Sequence, residues 1–170
     1  MPRIIFEKAL PVGVESLGEF VDMELEEAIT SSALREKINQ TLPSGIEVIE
    51  AKEILVSTPS ATLPHRSVYW ITLDHLLSKE EVSSRLKKTL GKGELFILQE
   101  RKGNKRRIDL LPLIEKVEVK ENSGDQVAPC LELVLGGRLS GKTAKPLEAL
   151  EALLGLQGEA LSRCKVVKVE

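Results

Sequence analysis

The stretch LLSKEEVSSRLKKTLGKG, residues 76–93, leaves this chain few ways to fold. Ser78 followed by Glu81 is a capping box: the hydroxyl takes one orphan backbone N–H and the carboxylate reaches back to another. Leu77 and Val82 stand at staple positions around that cap. Val82, Leu86 and Leu90 then recur every four residues as a buried stripe. Gly91 and Gly93 stop the helix. On either side lie SVYWITLD (67–74), rich in β-branched and aromatic residues, and ELFILQER (94–101), with a continuous apolar run. Both read as strands. A helix fixed at both ends between two strands excludes purely helical and purely β architectures.

The pattern extends upstream. FVDMEL (20–25) alternates, with Val21, Met23 and Leu25 on one face and Asp22 and Glu24 on the other, which predicts a half-buried strand. SSALREKINQTLP (31–43) places Leu34, Ile38 and Leu42 on one helical stripe, stopped by Pro43 and Gly45. GIEVIEAKEILV (45–56) reads as a strand whose alternation slips near Glu50, as at a bulge. Residues 20–101 thus read β-α-β-β-α-β, the order of a ferredoxin-like plait. LIEKVEVKE (113–121), CLELVL (130–135), PLEALEALLG (146–155) and CKVVKVE (164–170) add three strands and a helix, and RIIFEKAL (3–10) one more strand. The expectation is an α+β chain in two parts. A plait occupies 17–101. A second, incomplete ferredoxin-like unit, short of one helix and one strand, is built from 1–16 and 102–170 and packs against it. The plait hosts many activities and names none.

Composition narrows the function classes. Only five residues are aromatic (Phe6, Phe20, Tyr69, Trp70 and Phe96), so the core is aliphatic and stacking platforms for unpaired bases are few. A formal net charge of -2 argues against a chain that coats nucleic acid with its whole surface, and leaves room for local basic patches. No apolar run is long enough to span a membrane, and the N-terminal stretch, with Glu7, lacks a signal-peptide pattern; the expected compartment is the cytoplasm. Cys130, Cys164, His65 and His75 show no metal-ligand spacing, and the thiols read as small buried hydrophobes in a reducing compartment. No nucleophile–base pair stands out, so an enzyme acting on its own is not expected.

One motif argues the other way. GGRLSGKT (136–143) matches the phosphate-binding loop G-x-x-x-x-G-K-[ST], with Gly136, Gly141, Lys142 and Thr143 at its fixed positions. Such a loop needs a helix whose first N–H groups point at the phosphate. Pro146 is best placed at the first helical position, so the helix is expected to begin there, leaving Gly141 and Lys142 in the loop. No later apolar strand ends in an aspartate to organise Mg²⁺. The match reads as a decoy, a β-to-α turn.

Residues 9–22, ALPVGVESLGEFVD, place Leu10, Pro11, Gly13, Glu15, Ser16, Glu19 and Asp22 in the order A-L-P-x-G-x-E-S-x-x-E-x-x-D. LPSGIEVIEAKEI (42–54) and RKGNKRRIDLLPLI (101–114), with Asp109 and Pro112, carry two further segments. Over residues 2–120, and more loosely to the end, the chain resembles a radical-SAM-associated bacterial domain of unknown function, commonly found at the C-terminus of proteins with B12-binding and radical-SAM regions. The resemblance implies an accessory module whose partner is a radical-SAM protein or region, in cis or in trans. S-adenosylmethionine, a [4Fe-4S] cluster and B12 belong on this reading to the associated region, because two isolated cysteines cannot hold a cluster. Members of that family carry an upstream β-α segment with an S-H-L-D signature, and this chain begins after it; the expectation is a truncated chain or a split gene product. Within the first motif, Pro11 and Gly13 fix a sharp backbone path, and Glu15 and Ser16 can bond its N–H groups. The alternative is a binding pocket that also takes in Leu10 and Glu19.

RKGNKRR (101–107) holds five positive charges in seven residues, around a turn at Lys102–Lys105. The bland reading is a solvated hairpin tip. The sharper one is phosphate contact on tRNA or rRNA by Arg101, Lys102, Lys105, Arg106 and Arg107, with Asp109 orienting an arginine. The functional expectation is substrate (RNA) recognition without catalysis; the alternative is a protein-docking module for the radical-SAM region that uses a sheet face or an unpaired edge.

Overall fold

The computed structural model describes residues 3–6, 10–54, 66–73, 77–101, 103–120, 128–136 and 144–169. The helix that anchors the sequence pattern forms as expected: α2 runs Lys79–Leu90. The Ser78 hydroxyl accepts from Glu81 N at 3.2 Å, and Ser78 N donates to the Glu81 carboxylate at 2.8 Å. Leu77, Val82 and Leu86 are buried in one cluster, with Leu90 packed against it.

The other described elements are strands β1 (Arg3–Phe6), β2 (Val14–Ser16) and β3 (Val21–Glu24), helix α1 (Ser31–Asn39), and β4 (Ser67–Thr72) ahead of α2. After α2 come β5 (Phe96–Arg101), β6 (Asn104–Asp109), β7 (Ile114–Lys120), β8 (Cys130–Leu135), helices α3 (Pro146–Leu154) and α4 (Glu159–Ser162), and β9 (Lys165–Lys168). The α+β class holds. Contacts divide the chain into two compact units, residues 1–9 with 19–63 and residues 10–18 with 64–170.

The larger unit is built on a five-stranded sheet in the order β2-β9-β4-β8-β7. β4 is antiparallel to β8 and β9, β7 is antiparallel to β8, and the short edge strand β2 is parallel to β9. Strand periodicity sends Tyr69, Ile71, Leu131, Leu133, Leu135 and Val166 to one face, where all six are buried. α2 and α3 pack against it, α3 through Ala149, Leu150, Leu153 and Leu154. Pro146 opens α3 at its first turn, Lys145 N donates to the Glu148 carboxylate, and Gly155 closes the helix at φ 69°. That conformation costs glycine nothing and strains other residues.

The opposite face is mixed. Trp70 is 47% exposed, and beside it on β8 Glu132 accepts from Lys116 at 2.8 Å and from Lys120 at 2.6 Å. These two ammonium groups, Lys116 first, hold the Glu132 carboxyl down at about 2, against an ordinary 4.5.

The smaller unit differs in kind. β1 and β3 form an antiparallel ribbon with Ile4 opposite Met23 and Phe6 opposite Val21. α1 is capped by the Thr30 hydroxyl, which accepts from Ala33 N. At the end of α1, the Asn39 side chain accepts from Val48 N at 2.6 Å and donates to Val48 O at 3.1 Å, a side-chain substitute for a strand neighbour. Among its described residues none is buried.

Several expectations need correction. Residues 45–54 form no strand: the polar side chain of Asn39 takes both hydrogen-bonding groups of Val48, and the apolar Ile46 and Ile49 are exposed. Residues 55 and 56 lie outside the described residues. The strands of 17–101 do not assemble into one plait. β3 pairs with β1, β5 pairs with β6, and β4 is the centre of a sheet otherwise made of β2, β7, β8 and β9. β4 is apolar on nearly all its length, which suits the middle of a sheet and not the neighbour of a solvated ribbon. Hence the division at 17 and 101 does not follow the pairing, which ties 3–6 to 21–24 and 67–72 to 130–135 and 165–168. α1 ends at Asn39, ahead of Pro43. The strand over 21–24 alternates as read, but its Val21–Met23 face is exposed rather than half-buried.

Candidate nucleic-acid interface

The basic segment folds as a hairpin. β5 and β6 pair from Phe96↔Asp109 to Arg101↔Asn104, so the connection is two residues long, and Gly103 takes φ 75° in it. A two-residue link of this kind favours glycine because its backbone must enter the left-handed region. The register decides what each face carries. Ile97, Gln99, Arg106 and Ile108 alternate onto one side; Phe96, Leu98, Glu100, Lys105, Arg107 and Asp109 fall on the other.

The first side is the anchor. Ile108 is 7% exposed and Ile97 packs against the same cluster. Removing a side chain such as Ile108 from water contributes about 2 kcal/mol. Gln99 Nε2 donates to the Glu148 carboxylate of α3 at 2.7 Å. At the base, Leu110 N donates to Leu95 O at 2.6 Å, and the Asp109 carboxylate accepts from Leu111 N at 3.1 Å and Leu95 N at 3.4 Å. Asp109 therefore braces the base of the hairpin through backbone amides, where the sequence had it orienting an arginine.

The second side is open. Lys105, Arg106 and Arg107 are all exposed, Arg106 at the rim of the anchored side. The Arg107 guanidinium lies 3.7 Å over the centre of the Phe96 ring. Such a contact at an exposed site is worth about 0.5–1 kcal/mol, so it orients the arginine more than it stabilises the fold. Leu98, next to it on this face, is 74% exposed. Arg101 ends β5, and Lys102 lies outside the described residues. The structure thus gathers Lys105, Arg106 and Arg107 on one rigidly based ribbon, and adds Phe96 and Leu98, which the sequence reading did not single out. Counting back from the turn in hairpin register would have found them, since residues diagonal across two strands are in reach.

The resemblance motif is divided between the two units. Pro11 O accepts from Val14 N around Gly13, at φ 84°, so the sharp turn is present. It leads into β2, a strand the sequence reading missed because three residues are too few for alternation to show. Glu15 pairs with Lys165 of β9 at 3.1 Å instead of bonding the turn, while the Ser16 hydroxyl exchanges hydrogen bonds with Gly18 N and O. Leu10, Pro11, Gly13, Glu15 and Ser16 belong to the sheet unit, and Glu19 and Asp22 to the other.

At the phosphate-loop match, Gly136 N donates to Leu113 O at 2.9 Å, and Gly141, Lys142 and Thr143 lie outside the described residues. α3 begins at Pro146, as the proline predicts. β8, the strand leading in, is antiparallel to both neighbours, unlike the parallel strands on which nucleotide-binding βα units are built.

Cys164 is buried and Cys130 half-buried, and burial pushes the Cys130 thiol up, so it stays protonated at neutral pH. His65 and His75 lie outside the described residues. Among the described residues no three His, Cys, Asp or Glu side chains form a metal-binding group, and no helix is long and apolar enough to cross a membrane.

No curated protein matches the chain. A family model described as "Uncharacterized protein conserved in bacteria (DUF2344)" matches residues 1–146, and the chain belongs to that family.

Proposed function

We propose that the chain is a non-catalytic accessory module that recognises RNA for a radical-SAM modifying enzyme in the cytoplasm. The observation that carries this is the β5–β6 hairpin, which holds Lys105, Arg106 and Arg107 exposed on a ribbon fastened to the core through Ile108 and Gln99. A solvated tip has no need of such an anchor, whereas recognition improves when the contacting groups sit on a rigid base. S-adenosylmethionine, the iron–sulfur cluster and B12 belong on this reading to the partner region, and tRNA or rRNA is the substrate class. A gel-shift series with tRNA and rRNA fragments at several salt concentrations tests it. Binding at low salt, weakened by charge reversal at Arg106 and Arg107, is expected. Absence of binding, or binding indifferent to both reversals, sinks the reading.

A second reading has its own observation. Ile4, Phe6, Val21 and Met23 share one face of the β1–β3 ribbon and are 51%, 66%, 41% and 36% exposed. A wholly apolar exposed face supports docking onto a protein, here the radical-SAM region. Co-purification with that region but not with RNA would favour docking alone.

A further inference from the structure

We infer that the open face of the β5–β6 hairpin takes an unpaired RNA base, stacked on the Arg107–Phe96 pair. The inference rests on the RNA reading above and narrows its substrate to single-stranded segments. Three observations carry it.

The guanidinium stands 3.7 Å over the ring centre, which is stacking distance, and Arg107 is exposed. A planar cation already lying on an aromatic ring offers a ready surface for a third flat group. Unpaired bases stack on aromatic rings and on guanidinium planes in this way.

Leu98 and Phe96, 74% and 39% exposed, are apolar groups beside Arg107 on this face. Phosphate contact alone gives them no role, because a duplex presents phosphates to such a ribbon and keeps its base faces stacked inside. A base and its ribose, turned out of a helix, match an apolar patch bordered by positive charge.

Lys105 shares this face with Arg107, and Arg106 flanks it from the rim. Both lie on the turn side of the stacking surface, where they fit the phosphate next to a stacked nucleotide.

The test uses the full chain and fluorescence anisotropy. The probes are a short labelled single-stranded RNA of mixed sequence and a blunt duplex of the same length. The single strand is expected to bind more tightly. Phe96→Ala and Arg107→Lys should each weaken single-strand binding by about tenfold, the scale of one lost base stack, and leave duplex binding and the salt slope unchanged. Phe96→Trp, which keeps a ring, should bind as the parent does. Melting curves will show all variants folded, since Phe96 faces away from the core. If Phe96→Ala binds the single strand normally while Arg106→Glu still loses affinity, the stacking inference is overturned and the RNA reading survives. Tighter binding to the duplex overturns it as well. Failure of the parent chain to bind either probe at low salt removes the RNA reading and this inference together.

Discussion

The described residues include two antiparallel two-stranded ribbons, β1–β3 and β5–β6, with opposite support. β5–β6 stands on a core: Ile108 and Ile97 pack into it, Gln99 is tied to α3, and Asp109 braces the base. β1–β3 belongs to a unit in which no described residue is buried, and one of its faces is apolar and open. An isolated two-stranded ribbon is marginal in water. The first ribbon is therefore held in place by the core, whereas the second has an exposed apolar face and no buried described residue to support it. On the function proposed above, the first ribbon would serve recognition and the second docking.

Core truncation gives the largest effect and the bluntest way to break this comparison. Leu133→Ala and Leu150→Ala, at fully buried sites, should each cost about 2–5 kcal/mol in denaturant unfolding. The same truncation at Ile4 or Met23 should cost no more than about 0.5 kcal/mol, the range of exposed positions. Equal losses would show that the β1–β3 face is covered in solution by something more of the same chain.

Next in size are the two helix caps. Ser78→Ala removes a full capping box and should lower global stability by about 1 kcal/mol. Thr30→Ala removes a single cap bond on a helix without buried residues. It should lower helical circular dichroism slightly while leaving the unfolding midpoint of the sheet unit in place. A common shift of both transitions would mean that the two units unfold as one.

A further effect, confined to acid pH, concerns Glu132. The carboxyl of Glu132 is depressed in the folded chain, to about 2 from 4.5, because Lys116 and Lys120 hold its ionised form. Its contribution is complete above about pH 4.5 and is lost as pH falls through about 2. Glu132→Gln should flatten the acid limb of the stability curve over that window and leave the neutral plateau of the β1–β3 unit untouched. An unchanged acid limb would remove the ion network from the account.

Local signals in the sequence were sound where they were chemical. Ser78 with Glu81, Pro146, Gly103 and the Val82–Leu86–Leu90 stripe each declare their own conformation, because the physics lies within a turn or two of backbone. Pairing was not legible. SVYWITLD and ELFILQER are neighbours along the chain, yet β4 went to β8 and β9, and β5 to β6, since the gain from burying Tyr69 and Ile71 against Leu131 and Leu133 is a long-range one. GIEVIEAKEILV reads as a strand with a slip in its alternation near Glu50, yet over 45–54 no strand forms and the Asn39 side chain takes both backbone groups of Val48. At the hairpin the charges were plain in RKGNKRR, whereas the Phe96–Arg107 stack depended on register and became visible only once the turn length was fixed.

On the proposed function, the anchored ribbon and not the open one meets RNA. The most direct test of this is a titration of the isotopically labelled chain with single-stranded RNA at low salt, followed by backbone and arginine side-chain NMR shifts. The account predicts saturable perturbations at Phe96, Leu98, Lys105, Arg106 and Arg107 with Ile4, Phe6, Val21 and Met23 unmoved. Perturbations confined to the β1–β3 face, with the hairpin silent, would contradict it.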